Sequence, residues 1–217
     1  MKIPTNWTFQ SKEIADGFDS HVREQLPWYD LATFSVAHIA RHYIPEGGTV
    51  LDLGASTGNI GRAIAQTLSD RSAKLIAVER SQEMCDLYDA AGEVICADLQ
   101  DFQIPDFDVA IGFLCLMFLP VPARKKVIKR LIDKGRSGGA IILFDRMEAT
   151  TGYAATALWR LTLAGKINSG VPYDEIIQKE LSLAGVQRPI DRYEYPSYAI
   201  EIFRFGDFAG WLIENKK

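Results

Sequence analysis

The chain has 217 residues, a formal net charge of −4 at neutral pH and 47% hydrophobic residues. This length suits one well-cored domain, and the ordinary balance of apolar and charged residues excludes a disordered or fibrous protein. No apolar run reaches the roughly 18 to 20 residues that a membrane span requires, and the first residues lack the apolar segment of a signal peptide. We therefore expect a single cytoplasmic domain over residues 1–217, without a membrane anchor.

The cysteine pattern indicates reduced thiols and no metal site. Cys85, Cys96 and Cys115 have spacings that match no zinc motif, and an odd number of cysteines in a chain without a secretory signal argues against a disulfide framework. We interpret all three as packing residues.

The amino-terminal region predicts two amphipathic helices, Ser11 to Gln25 and Tyr29 to Tyr43, separated by Pro27. Apolar residues recur in both at helical spacing, which predicts one buried face on each. Pro45 to Gly48 is a strong turn signal. We expect residues 1–45 to form a helical lid over the site described below.

Residues 49–145 alternate short apolar runs with helical patterns. This alternation predicts parallel strands joined by right-handed crossovers, with ligands at the carboxyl ends of the strands. The predicted strands are Thr49–Leu53, Lys74–Val78, Glu93–Ala97, Phe107–Leu114 and Ala140–Asp145, and the predicted helices begin at Asn59, run from Ser81 to Ala91, and run from Pro122 to Lys134.

The last third of the chain is less regular. We predict a helix from Ala154 to Leu163 over the site, within a mobile substrate-side insertion at 146–172, because small residues flank it on both sides. A helix from Asp174 to Ala184 follows, and then an antiparallel hairpin that turns at Gly206.

The most informative stretch is TVLDLGASTGNIG, residues 49–61. It reads as a buried strand, a glycine-rich turn and a helix start, and the turn lets a nucleotide-like ligand approach the backbone. Read as G-x-S-x-G, it resembles the nucleophile elbow of the α/β-hydrolases, whose catalytic triad runs Ser, Asp or Glu, and then His along the chain. Every histidine of this chain precedes Ser56, so that triad cannot be completed in this order. A dinucleotide loop would need a glycine at Ser56. A carboxylate at Asp52 suits the cationic S-adenosylmethionine (SAM) better than a pyrophosphate.

The joint pattern resembles the class I SAM-dependent methyltransferases over nearly the whole chain. It consists of DLGASTG, a strand ending in Glu79, a strand ending in Asp98-Leu99, the stretch GFLCLMFLP and the closing hairpin. Within that superfamily, LPWYDLATFSVAHIA and FRFGDFAGWLIEN are similar to the carboxy-SAM synthases and their relatives in tRNA wobble-uridine modification. The resemblance implies an α/β, Rossmann-like fold with a mostly parallel seven-stranded sheet, SAM as cofactor and S-adenosylhomocysteine as product.

The resemblance also implies a set of cofactor-binding residues. Glu79 would accept the two ribose hydroxyls, which suits a carboxylate, Arg80 would flank the adenine, and Asp98 would take the adenine amino group. Tyr29 would reach the cofactor from the lid, and Asp52 would hold loop N–H groups or touch the ligand. The remaining contacts would be Gly54, Ala55 and Ser56 at the methionine moiety, the Leu99 N–H at an adenine ring nitrogen, and Gly112 and Phe113 at the floor.

One position departs from the synthases. Aligning Leu181–Gly185 with their L-x-x-A-G motif puts Glu180 where they carry an arginine that holds the extra carboxylate. A carboxylate there would repel carboxy-SAM, which argues against synthase activity. Our reading is a SAM-dependent methyltransferase, with a carboxy-SAM synthase or a non-enzymatic SAM-binding regulator as alternatives. No catalytic residue is predicted, because alignment and desolvation of the reactants can suffice.

The sequence leaves the methyl acceptor open between a small molecule and RNA. Seven basic residues between Arg124 and Arg136 suit either an RNA backbone or the solvated face of a helix, and we favour the latter. Tyr153, Trp159 and Tyr173 suit a substrate wall, core packing or a homodimer contact. We expect His21 to be a surface residue, with a general base as the alternative.

Overall fold

The computed structural model describes residues 3–149 and 151–216. Met1, Lys2, Thr150 and Lys217, which fall within the predicted lid, insertion and domain, lie outside the described residues. The strands are β1 (Thr49–Leu53), β2 (Lys74–Glu79), β3 (Glu93–Cys96), β4 (Phe107–Phe113), β5 (Gly135–Arg146), β6 (Ile200–Phe205) and β7 (Phe208–Glu214). The helices are α1 (Lys12–Gln25), α2 (Tyr29–Tyr43), α3 (Asn59–Asp70), α4 (Gln82–Cys85), α5 (Val121–Lys134), α6 (Tyr153–Asn168) and α7 (Tyr173–Ser182).

All seven strands form one sheet in the order β3-β2-β1-β4-β5-β7-β6. Strands β1 to β5 pair in parallel, whereas β7 runs antiparallel to both β5 and β6. The chain order reverses between β1 and β4, and such a switch point opens a crevice at the carboxyl ends of the strands. The predicted α/β, Rossmann-like sheet with a closing antiparallel hairpin is confirmed.

The parallel strands are buried on both faces, which explains their continuous apolar runs. Leu51 and Leu53 pack with Val127 of α5 on one face, and Val50 packs with Ile60 and Ile64 of α3 on the other. With β1 fixed in this way, the turn after Leu53 is held at the centre of the crevice. None of the helices within the described ranges is long and apolar enough to cross a membrane.

Three predicted elements differ most in length from the observed ones. The helix predicted from Ser81 to Ala91 ends at Cys85, because the chain turns so that the Asp89 N–H donates to the Thr57 carbonyl (3.1 Å). Strand β5 begins at Gly135, before the predicted Ala140, through a register irregularity against β4. Helix α6 continues past Leu163 to Asn168, and its Gly165 packs against the ring of Phe205.

Candidate active site at the carboxyl ends of the strands

The turn after β1 has a backbone that glycine makes possible. Gly54 has a φ of 69° and Gly58 a φ of 99°, in the left-handed region that side chains disfavour. A Cβ on Gly54 would also lie 2.4 Å from the Cys115 Sγ. The N–H groups of Gly54 and Ala55 both donate to the Val78 carbonyl (2.8 and 3.0 Å), so the loop is fixed to the end of β2.

Asp52 is a buried carboxyl beneath this loop, with 1% of its surface exposed. Gly61 N–H donates to the carboxyl, but Oδ2 has no hydrogen-bond partner among the described residues. Burial, followed by the negative charge of Glu79, raises the pKa of Asp52 to about 7. An unsatisfied buried carboxyl oxygen at a cavity wall suits a cationic ligand group, because such a ligand would stabilise the ionised form.

Glu79 ends β2, and its carboxylate is held by three backbone donors. Oε2 accepts from the Ser56 N–H (2.9 Å), and Oε1 accepts from the N–H groups of Arg80 (2.8 Å) and Ser81 (2.9 Å). Each oxygen of an ionised carboxylate has two acceptor sites. Glu79 therefore ties the glycine loop to β2 and retains capacity to accept hydrogen bonds from a ligand.

The residues after β3 continue the same wall. Leu99 is buried, and its carbonyl accepts from the Arg130 guanidinium (2.6 Å). The Asp98 carboxylate accepts from the N–H of Gln100 (2.8 Å), which folds the segment into a tight turn at the cavity edge. The predicted adenine side of the site is thus a short turn anchored to α5.

One cavity collects the predicted cofactor residues. Its lining includes Tyr29, Asp52, Gly54, Ala55, Ser56, Glu79, Arg80, Asp98, Leu99 and Phe113. Tyr29 reaches it from α2 and packs edge-on against Phe113, with ring centroids 5.4 Å apart. Gly112 does not line the cavity; it is a buried β4 residue paired with Leu53 and Leu143.

An amino-terminal arm, residues 3–10, borders the cavity. The Trp7 N–H donates to the Ser182 carbonyl (2.9 Å), and the Phe9 carbonyl accepts from the Ser81 hydroxyl (2.7 Å). Trp7 and Phe9 line the cavity together with Phe18 of α1 and Phe118. The arm therefore bridges α7 and the end of β2 and supplies an aromatic wall, which no periodic pattern in the sequence indicated.

A charged network lies at the α6 and α7 side of the same cavity. Arg146, at the end of β5, donates to Asp207 (2.6 Å) and Glu180 (3.0 Å), and Lys166 of α6 donates to Glu180 (3.3 Å). Although burial acts in the opposite direction, Arg146 and then Lys166 lower the pKa of Glu180. Glu180 is therefore an ionised carboxylate already paired with two cations.

Two titratable side chains of this wall are buried without an ion pair among the described residues, His21 of α1 and Lys179 of α7. The His21 ring stacks on Trp7 with centroids 5.7 Å apart, and the Lys179 amine lies over the Trp7 ring. A lysine on the apolar face of α7, between Ile176 and Leu183, was a readable signal that we missed.

The structure overturns the expectation for His21 and removes one alternative for three aromatic residues. His21 is not a surface residue, because only 3% of its surface is exposed. Tyr153, Trp159 and Tyr173 do not form a substrate wall, since all three are exposed on the outside and are absent from the cavity lining.

The basic run on α5 is not uniformly solvated either. Arg124 is buried against Glu194, and Arg130 donates to two carbonyls. Lys129, Lys134 and Arg136 pair with nearby carboxylates. Most of this positive charge is therefore compensated within the protein.

No group of three or more His, Cys, Asp or Glu residues within residues 3–149 and 151–216 could hold a metal ion.

Comparisons with known proteins agree with this geometry. Residues 50–139 match a methyltransferase domain family. The carboxy-S-adenosyl-L-methionine synthase of Staphylococcus epidermidis is 29% identical over 98% of this chain and 94% of its own. The synthase of Shewanella denitrificans is 26% identical over 96% of this chain and 88% of its own.

The plantazolicin methyltransferase BpumL, solved in complex with SAH, has the same fold. It aligns with a TM-score of 0.62 at 14% identity, over 94% of this chain and 90% of its own. The domain match and the SAM-related relatives support the methyltransferase reading. Residues 50–139 thus match a methyltransferase domain, and the chain has the fold of a solved methyltransferase.

Proposed function

We propose that the protein transfers the methyl group of SAM to a small-molecule acceptor bound inside the cavity. The observation that carries this proposal is the continuity of one cavity, which runs from the glycine loop and Glu79 to the wall formed by α6 and α7. A single cavity with a cofactor end and a partly aromatic end suits a reaction between two small ligands.

In this proposal the cofactor residues keep the roles that the resemblance implies. Gly54, Ala55 and Ser56 hold the methionine moiety, Glu79 accepts the ribose hydroxyls, and Asp98 and Leu99 meet the adenine. Arg80 flanks the adenine, and Tyr29 and Phe113 close the opposite side. Gly112 acts indirectly, because its lack of a side chain lets β4 pack against Leu143. In this proposal the described part of the lid, residues 3–45, and the insertion residues Arg146 and Lys166 border the acceptor end.

We expect SAM to bind more tightly as Asp52 ionises. The pKa of Asp52 is about 7 without ligand, and the ionised carboxylate favours a cationic ligand. Between about pH 6 and about pH 7.5 the ionised fraction rises about eightfold, so the SAM association constant should rise by up to about that factor. Isothermal titration calorimetry at several pH values measures this rise.

Asp52→Asn is the control, because its amide cannot ionise and should flatten the pH dependence. An equally steep dependence in that variant would show that another group titrates on binding.

An RNA acceptor has less support. Five of the seven cations between Arg124 and Arg136 pair with carboxylates or carbonyls of the protein itself, whereas a backbone-binding surface presents several free cations to the phosphates. The aromatic wall of the cavity is also enclosed by α1 and the arm. A small acceptor fits these surroundings better than a polynucleotide does.

Carboxy-SAM synthesis is the second candidate, favoured by the names of the curated relatives. Glu180 argues against it, because a negative side chain faces the cavity at the position that the alignment assigns to the carboxylate-binding arginine. Its charge is neutralised by Arg146 and Lys166, but those cations are thereby already engaged. A non-enzymatic regulator would bind SAM with equal affinity and show no turnover.

Native mass spectrometry of the freshly purified protein, followed by denaturation and identification of the released molecule, tests these candidates. We expect SAM or S-adenosylhomocysteine. Release of carboxy-SAM would instead establish the second candidate and overturn the Glu180 argument. A protein that releases nothing and also ignores added SAM would overturn the proposed function.

Two further proposals concern assembly and location. Exposed apolar side chains on α6 and α7, including Trp159 and Ile177, favour a homodimer. The native mass spectrum of the purified protein reports the number of subunits directly.

The three cysteines are free thiols, which suits the reducing cytoplasm.

A further inference from the structure

Lys179 occupies an apolar position of α7. Its neighbours one turn away, Ile176 and Leu183, are 3% and 9% exposed, and Lys179 itself is 9% exposed. The side chain lines the cavity, and its amine lies over the ring of Trp7. A lysine in this setting loses most of its hydration, which disfavours the charged form.

The two other cations beside Lys179 are already paired with carboxylates. Arg146 and Lys166 are paired with Glu180 and Asp207, which gives two cations and two carboxylates. Lys179 itself forms no ion pair with any residue in the described ranges, and the nearby Glu175 accepts from the Gln25 amide (2.7 Å). A protonated Lys179 would therefore be a buried cation without an ion pair of its own in the described ranges, and Glu180 and Glu175 oppose the effect of burial only in part.

Of the groups that face Lys179 from other elements, Lys166 reinforces this effect, whereas the ring face of Trp7 favours the ammonium. Lys166 of α6 is a cation. His21 of α1 has both ring nitrogens without a hydrogen-bond partner among the described residues, and burial, followed by Lys179, lowers its pKa to about 4. Burial and then Lys166 lower the pKa of Lys179 to about 6, against weaker opposing contributions from Glu180 and Glu175. At neutral pH the side chain is thus mainly a free amine.

We propose that Lys179 is the general base of the methyl transfer and that the acceptor is a neutral molecule with a hydroxyl or thiol group. This inference rests on the proposed function, since it assumes that the sulfonium of SAM occupies the same cavity. The acceptor heteroatom forms a bond to the methyl carbon as the carbon–sulfur bond breaks with its electron pair remaining on sulfur. The proton of the acceptor moves to the Lys179 Nζ, which becomes an ammonium and later releases the proton to water.

The pairing of Arg146 and Lys166 with Glu180 and Asp207 also selects against an anionic acceptor. A carboxylate buried at this wall needs a cation that is not already paired, and a neutral amine does not supply one. The aromatic side chains of Trp7, Phe9 and Phe118 suit a flat, uncharged molecule instead. A bound sulfonium would further favour the amine over the ammonium, because like charges repel.

Carbon-13 NMR of protein labelled at the lysine ε-carbons tests the charge state directly. In the wild-type protein saturated with S-adenosylhomocysteine, we expect one lysine to titrate near pH 6, far below the usual value of about 10.4. Lys179→Met removes that resonance and identifies it, while Lys126→Met, on the exposed face of α5, leaves it in place. A Lys179 that stays protonated above about pH 9 would overturn the proposal, because an ammonium cannot accept a proton.

Benzoate is an anionic probe that distinguishes two roles for Lys179, a general base and a cation that binds anions. We expect saturating benzoate to leave the Lys179 resonance in its amine position at about pH 7.5. If benzoate converts Lys179 to the ammonium, and Lys179→Arg binds benzoate as tightly as the wild type, the residue anchors anions and the proposal fails.

Turnover provides the second readout once a hydroxyl or thiol acceptor is in hand. Lys179→Met should lower kcat about 10²- to 10⁴-fold, the usual contribution of a general base, with the dissociation constant of SAM unchanged. Lys179→Arg should not restore kcat, because a guanidinium does not deprotonate. A wild-type kcat in the Lys179→Arg variant would overturn the proposal that Lys179 is the general base. A wild-type protein that does not bind SAM would instead overturn the proposed function.

Discussion

Replacing Arg124 with methionine is expected to lower the free energy of unfolding by about 3 to 5 kcal/mol. Arg124 and Glu194 have side chains that are 1% and 4% exposed, and the guanidinium also donates to the carbonyls of Arg188 (2.7 Å) and Pro189 (3.0 Å). The variant leaves a buried carboxylate without its cation, and two carbonyls lose a donor. Chemical denaturation of wild type and variant measures the difference.

The exposed neighbour Lys125 is the matched control for Arg124. Lys125→Met, on the same turn of α5, should change the free energy of unfolding by no more than about 0.5 kcal/mol. The double variant Arg124→Met/Glu194→Gln should recover part of the loss, since it removes the unpaired charge. A loss below about 1 kcal/mol in Arg124→Met would show that the pair contributes little beyond its own desolvation.

Replacing Glu79 with alanine should weaken SAM binding by about 1.5 to 3 kcal/mol, the range for losing hydrogen bonds to a charged group. The carboxylate is oriented by the N–H groups of Ser56, Arg80 and Ser81, so its remaining acceptor site, on Oε2, is held in place before the ligand arrives. Isothermal titration calorimetry measures the affinity, and circular dichroism verifies that the variant is folded.

Glu93→Ala, an exposed carboxylate at the start of β3, provides the matched control for Glu79 and should leave the affinity unchanged. If a folded Glu79→Ala protein binds SAM as tightly as the wild type, the ribose does not contact Glu79, and the other proposed SAM contacts are overturned as well.

Local patterns predicted the sheet and the glycine loop because the forces that form them are local. The apolar run before Gly54 forms a strand, and glycine at positions 54 and 58 allows the positive φ values of the turn. The carboxyl ends of parallel strands meet at one edge, so Glu79 and Asp98 could be placed together without knowing any long-range contact.

The features that the sequence could not predict depend on contacts between distant parts of the chain. The helix after Ser81 stops early because Ala90 packs against Gly58 and Gly61 of another segment. Arg124 looked like part of a solvated face because its partner, Glu194, belongs to a separate turn. Lys179 lies against a tryptophan from the opposite end of the chain, and no periodicity within α7 could reveal that partner.

The arm formed by residues 3–10 has a kinetic consequence. Its backbone is tied to the rest of the protein near Trp7 by a hydrogen bond to Ser182, and near Phe9 by one from Ser81. Segments with few such ties open by local unfolding at a small fraction of the global free energy. We therefore expect the arm to peel away as a unit to let ligands exchange, so that its amide protons exchange with solvent faster than those of β1. Product release would then require the arm to open.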